Sequence, residues 1–310
     1  MSAGSAHTAA DHPCFFVAAA GRFGRVHLPV APHCNVTCSY CDRRYDCLNE
    51  SRPGVCAGVL TPEAAVERVE RALEATPAIT VAGIAGPGDP LANPDAALRT
   101  LELVGRRFPR LHLCLSTNGL MLPDYVADLV RLGVRFLTVT MNAVSPRVGA
   151  QIYREVRWNG AVLGGEAGAG RLIERQLAGL AAAVARGMTC KVNTVLVPDV
   201  NAAEVGLVAA AALQAGVRLI NVIPLLPVPS CPGGGLRPPT AAEVERVRAA
   251  LPAGAIPLRH CRRCRADAAG LLGGGHGCMG DADDGGRDGG GDGDGGGRQG
   301  RWQGRRRQPQ

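Results

Sequence analysis

Lysine is almost absent from this chain: of 34 lysine and arginine residues, Lys191 is the single lysine. The basic side chains are arginine by compositional habit, so the formal net charge of +7 carries no clear nucleic-acid footprint. Long apolar runs are missing too. None reaches the roughly 18–20 residues of a membrane span, which excludes a transmembrane helix on sequence grounds. The apolar stretch Cys14–Ala20 is short, with no cationic segment before it, so no export signal is expected and the location is read as cytoplasmic. Apolar residues are also lacking at the C-terminal end. Residues 273–310 hold 16 of the 42 glycines, six Asp and six Arg, which leaves no net side-chain charge and almost nothing to bury. Such a segment is expected to be disordered.

What the chain does have is cysteine. Twelve are too few for a disulfide scaffold and many for an ordinary enzyme of 310 residues, so metal or redox chemistry is expected. The rest alternates. Strands are predicted over Val26–Ala31, Ala78–Ile84, Leu111–Ser116, Val134–Met141, Lys191–Val197 and Val217–Pro224. Helices are predicted from Thr61, as N-cap, to Ala75, from Asn93-Pro94 to Arg107, and over 123–132, 171–187 and 202–215. This is the α/β pattern of a partial (β/α)6 TIM-like barrel with a parallel sheet. In such barrels the chemistry sits after the C-terminal strand ends. The notable residues fall there: the cysteine-rich segment Pro32–Val59, the Gly86–Pro90 turn, Thr117-Asn118 and Asn142.

The strongest signal is Cys34-x3-Cys38-x2-Cys41. Three thiolates on one loop can hold three irons of a [4Fe–4S] cube and leave the fourth open for a ligand. A zinc site built from Cys38/Cys41 and Cys261/Cys264 is the plainer alternative, set back by the 220 residues between the pairs. Nine cysteines remain beyond the triplet. Of these Cys190, Cys231 and Cys278 are read as passive, because isolated cysteines are commonly buried as small apolar groups.

The triplet after the first barrel strand, with Tyr40 before its third cysteine, resembles the radical S-adenosylmethionine superfamily. Longer runs narrow the resemblance to the NifB family: His27–Pro32, Tyr40–Arg43, Asp46–Val55, Ala85–Asn93, Ser116–Gly119, Thr138–Val144 and His260–Leu272. The resemblance implies a radical core at 25–272 with cluster-binding extensions, an N-terminal arm at 1–24 and a core-only form ending in the 273–310 tail. It implies a [4Fe–4S] cluster on Cys34, Cys38 and Cys41, with S-adenosylmethionine as cofactor. The cofactor side is assigned to Tyr40, Gly86, Gly88, Asp89, Thr117, Asn118 and Asn142. It further implies two more [4Fe–4S] clusters as substrates, with Cys14, His27, Cys47, Glu50, Cys114, Cys261 and Cys264 as candidate ligands. The implied reaction fuses these two into the carbide-centred precursor of the nitrogenase cofactor. The implied partners are a cluster donor and cofactor scaffold or carrier proteins. Two other functions stand beside this one: another radical enzyme with auxiliary clusters, and a non-catalytic iron–sulfur scaffold. The Gly86–Pro90 turn and Ser116–Gly119 argue against the scaffold, which needs no cofactor pocket.

Overall fold

Apolar strands carrying few charges alternate with amphipathic helices, and burying both faces of the strands requires helices packed outside a parallel sheet. The computed structural model describes residues 8–272 except 50, 52, 53, 229, 230, 232, 233 and 262. In chain order its elements are β1 (Gly24–His27), β2 (Val36–Cys38), α1 (Pro62–Ala75), β3 (Ile79–Ile84), α2 (Pro94–Arg107), β4 (His112–Thr117), α3 (Leu122–Arg131), β5 (Val134–Thr140), α4 (Pro146–Ile152), β6 (Tyr153–Trp158) and β7 (Ala161–Leu163). There follow α5 (Gly165–Ala185), β8 (Thr189–Leu196), α6 (Pro198–Asn201), α7 (Glu204–Gln214), β9 (Leu219–Pro224), α8 (Ala241–Ala249), β10 (Ile256–Pro257) and β11 (Ala269–Leu271).

The six expected strands lie side by side and parallel in the order β9-β8-β5-β4-β3-β1. β10 extends one edge in parallel and β11 the other in antiparallel, so the described sheet has two ends and the barrel is open. Val26, Ile84, Leu115, Val139, Val192 and Ile220 of these strands join one apolar cluster with Val69 and Leu101 of the flanking helices. Thr61 caps α1 as its sequence indicated, its Oγ1 accepting from Ala64 N at 3.2 Å.

Several boundaries differ from expectation. The first strand stops at His27 rather than Ala31, because Pro29 has no N–H to continue a ladder. The cysteine segment is not all loop: β2 lies inside the triplet and pairs antiparallel with β6, whose own partner is β7. No hydrophobic period in the triplet announces that pairing, since its partner lies more than 110 residues away. The described part of the N-terminal arm folds against the sheet. His12 and Phe15 are buried and meet Phe136 of β5 at ring-centroid distances of 4.4 and 5.1 Å. Thr80 Oγ1 donates to Asp11 O at 2.8 Å, tying the arm to β3. Glu50, Cys278, residues 1–7 of the arm and the 273–310 tail lie outside the described residues.

Candidate functional site

The Gly86–Pro90 turn at the end of β3 is laced onto the chain leading to Cys34. Gly88 N donates to Ala31 O at 2.5 Å, and Asp89 N to His33 O at 2.8 Å. A Cβ on Gly88 would sit 2.1 Å from His33 O, so no side chain fits there. Asn93 precedes α2 but does not cap it. Its side chain instead accepts from His33 N and donates to His33 O at 2.8 Å. The Asp89 carboxylate binds the end of β4, accepting from Thr117 Oγ1 at 2.9 Å and from Asn118 N at 2.5 Å. It also accepts from Leu91 N at 2.9 Å. Burial raises the Asp89 carboxyl above its ordinary range in spite of these bonds. Asn118 then reaches the triplet, its Nδ2 lying 2.7 Å from Asn35 Oδ1 and 3.7 Å from Cys34 Sγ.

Cys34, Cys38 and Cys41 line one cavity together with Tyr40, Gly88, Asp89 and Asn118. Tyr40 is almost fully buried. Its hydroxyl donates to Asn49 Oδ1 at 2.5 Å and accepts from Asn142 Nδ2 at 2.7 Å. Asn142 stands behind Tyr40 with both amide atoms engaged, since its Oδ1 accepts from Val195 N at 2.8 Å. Thr117 likewise spends its hydroxyl on Asp89. These two organise the wall. Gly86, at φ +108°, bends the turn behind it. Burial pushes the Cys34 thiol up to about 12 and the Cys38 and Cys41 thiols upward as well. Two buried thiols and the half-buried Cys34, all resisting ionisation alone and with amide donors around them, fit a metal–sulfide cluster, whose cations stabilise the thiolates.

A second cavity opens inside the barrel. It brings together Cys14 from the arm, His27 from β1, Cys114 from β4, and Cys261 and Cys264 from the C-terminal segment. His27 Nδ1 lies 3.0 Å from Arg265 O. A carbonyl only accepts, so Nδ1 carries the proton and Nε2 is left with a lone pair, the tautomer a metal-binding imidazole needs. Burial and the neighbouring Arg25 lower its pKa to about 4, which keeps the ring neutral. Burial pushes the Cys14 thiol up to about 12, with the Lys191 charge opposing. Arg25 Nη2 donates to Cys264 Sγ at 2.9 Å.

Among the described residues no three His, Cys, Asp or Glu side chains are grouped to hold a single metal ion. The zinc pairing also fails on position: Cys38 and Cys41 line the first cavity, Cys261 and Cys264 the second. Cys47 lines the triplet's cavity, apart from the C-terminal pair. Cys190 is buried in the main apolar cluster and Cys231 packs against a smaller one.

Residues not singled out in the sequence also enter the site. Asn49 lines both cavities and lies 3.8 Å from Cys38 Sγ through Nδ2. Its place inside the Asp46–Val55 run was the available signal. His12, Arg25, Lys191 and Asn193 line the barrel cavity. A separate groove lies among Arg106, Arg110, Arg131 and Arg135 at the N-terminal strand ends, and no thiol lines it. No described helix is long and apolar enough to cross a membrane.

Residues 28–211 match the family model of the radical SAM superfamily. The chain is 46% identical over 267 residues to the FeMo cofactor biosynthesis protein NifB of Bradyrhizobium diazoefficiens, covering 85% of this chain and 54% of that protein. It is 43% identical over 272 residues to the protein of the same name from Klebsiella pneumoniae, covering 86% and 58%. It therefore spans little more than half the length of these curated relatives. Among solved structures, the FeFe-hydrogenase maturase HydG from Carboxydothermus hydrogenoformans aligns at a TM-score of 0.46 and 16% identity, covering 73% of this chain and 50% of that one.

Proposed function

This chain belongs to the radical SAM superfamily, and on that premise we propose that it is a radical enzyme of nitrogenase cofactor assembly, cleaving S-adenosylmethionine at the Cys34, Cys38 and Cys41 site. The observation that carries the reading is the meeting of two thiol-lined cavities at Asn49. A single iron–sulfur site would need only the first. A radical generated in one and consumed in the other needs them adjacent.

Cys34, Cys38 and Cys41 would hold a [4Fe–4S] cluster with one iron left open, which would supply the electron for cleaving S-adenosylmethionine. The residues around it do the rest. Gly88 and Asp89 hold the Gly86–Pro90 turn against Ala31 and His33, on the chain leading into the triplet. Asn118 offers an amide beside Cys34. Tyr40 and Asn49, locked by Asn142, close the wall toward the barrel.

The barrel cavity receives the substrate. In this proposal Cys14, His27, Cys114, Cys261 and Cys264 hold two [4Fe–4S] substrate clusters by incomplete, mixed ligation, loose enough for the clusters to rearrange. Cys47 and Glu50 enter the ligand set from their motif alone. The reaction joins the two clusters around a carbon taken from the methyl group of one S-adenosylmethionine. A second supplies the radical that abstracts hydrogen from that methyl, and a further sulfur is added. A cluster donor protein and a carrier for the product are the proposed partners.

The test is anaerobic reconstitution with iron counting and a 5′-deoxyadenosine assay. The proposal expects about twelve irons per chain, from three four-iron cubes, and cleavage of S-adenosylmethionine. Saturation near four irons with cleavage intact would leave a simpler radical enzyme. Full iron without cleavage would leave a scaffold.

A further inference from the structure

The chain places arginine at every basic position except one, and that one is buried in the barrel cavity. Lys191, on β8, is 5% exposed and lines the cavity with Cys14, Cys114, Cys261 and Cys264. Its ammonium donates to Cys14 O at 3.4 Å, its one hydrogen bond, and lies 4.6 Å from the centroid of Phe15. Among the described residues, two of its three N–H groups are thus without a hydrogen-bond acceptor. Across the same cavity His12 Nδ1 accepts from Cys14 N at 3.2 Å, so Nε2 carries the ring proton. Among the described residues, that Nε2 is buried with no partner. No Asp or Glu is among the described lining residues, while Arg25 and Arg263 add two further cations. A buried ammonium and a buried N–H donor without acceptors are costly unless an anionic acceptor comes between them.

We propose that Lys191, assisted by His12, is the positioning residue for the sulfide face of the iron–sulfur substrate in the barrel cavity. Thiolate-ligated sulfide clusters are anions whose bridging sulfides accept hydrogen bonds, and such bonds and nearby charge tune their potentials. Lysine suits a contact with sulfide better than the arginines that also line the cavity. It is a compact point charge with three rotatable donors, whereas a planar guanidinium fork needs more room and a flat acceptor. The same ammonium fastens the arm that carries Cys14, so ligand and counter-charge arrive together. This inference rests on the cluster reading of the cavity.

The full-length protein is reconstituted anaerobically with iron and sulfide as wild type, Lys191→Met, Lys191→Gln and Lys191→Arg. Iron content, the midpoint potentials followed by electron paramagnetic resonance, and iron loss to a ferrous chelator are then measured. Lys191→Met should load the cavity but lose its iron about tenfold faster, the size of one charge-assisted hydrogen bond. Its cavity potential should fall, because removal of a positive charge disfavours the reduced, more anionic cluster. Lys191→Gln keeps a donor for Cys14 O and should fold if Met does not; its potential should fall as well. Lys191→Arg should restore much of the potential by returning the charge. Wild-type potentials and loss rates in both neutral variants would overturn the inference and leave Lys191 as a clasp for the arm. A wild-type protein with no iron beyond the triplet's would instead overturn the cluster reading itself, before any variant is compared.

Discussion

Gly88→Ala probes whether the turn after β3 sets the position of the triplet. The added Cβ would lie 2.1 Å from His33 O, 2.6 Å from His33 C and 2.8 Å from Ala31 O. All three are backbone atoms, so no rotamer change relieves the contact, and the turn must move by about 1 Å to reach van der Waals distance. That movement stretches the bonds from Gly88 N to Ala31 O and from Asp89 N to His33 O. Losing two backbone bonds at about 1 kcal/mol each and overpacking the site at about 1–3 kcal/mol gives roughly 3–5 kcal/mol. For a protein of this size each kcal/mol lowers the melting temperature by about 2–4 °C, so a drop of roughly 6–20 °C is expected. The shift also carries His33, and with it Cys34. The assay is urea and thermal unfolding of the apoprotein, followed by iron uptake on reconstitution. Gly58→Ala is the control, since nothing lies within 4 Å of a Cβ there. A Gly88→Ala protein that melts within 1 kcal/mol of wild type and loads iron normally would refute the reasoning.

Replacing Cys34, Cys38 or Cys41 by Ala should abolish 5′-deoxyadenosine formation while most other iron stays bound; wild-type cleavage in any of them would remove the triplet from the radical site. Replacing His27 by Ala should do the reverse, lowering iron content while uncoupled cleavage of S-adenosylmethionine persists. Tyr40→Phe strands Asn49 Oδ1 and Asn142 Nδ2 in a buried site and should destabilise the apoprotein by about 2–4 kcal/mol, measured by urea unfolding. Glu204 receives hydrogen bonds from Val144 N, Ser145 N and Ser145 Oγ. Burial pushes its carboxyl up, but these bonds together hold it below its ordinary 4.5. A depressed carboxyl contributes stability above its unfolded value that is lost as pH falls through the folded one. Glu204→Gln should therefore cost about 1.5–3 kcal/mol near neutrality, and the gap from wild type should close below pH 4.5; a gap independent of pH would contradict the assignment.

Much of the frame is legible in the amino-acid sequence. The apolar runs of β3, β4, β5, β8 and β9 announce buried parallel strands, and Thr61-Pro62 announces a helix start, because burial and capping are properties of neighbouring residues. The Cys34-Cys38-Cys41 spacing likewise carries its chemistry locally, since the three donors ride one short segment. The sharing of one cavity by Cys14, His27, Cys114, Cys261 and Cys264 is different. Those residues come from the arm, β1, β4 and the C-terminal segment, and only the winding of the sheet brings them together. The same holds for Cys47, which joins the triplet instead of the C-terminal pair, and for Asn142, whose amide is spent on Tyr40 and Val195. Lys191 shows both sides. Its rarity is written in the composition, while its burial against Cys14 depends on a strand and an arm separated by more than 170 residues. Periodicity, capping and ligand spacing act over a few residues and can be read along the chain. The charge, hydrogen-bond partners and cavity of a side chain depend on non-local contacts, and these exist only once the sheet and the arm have folded together.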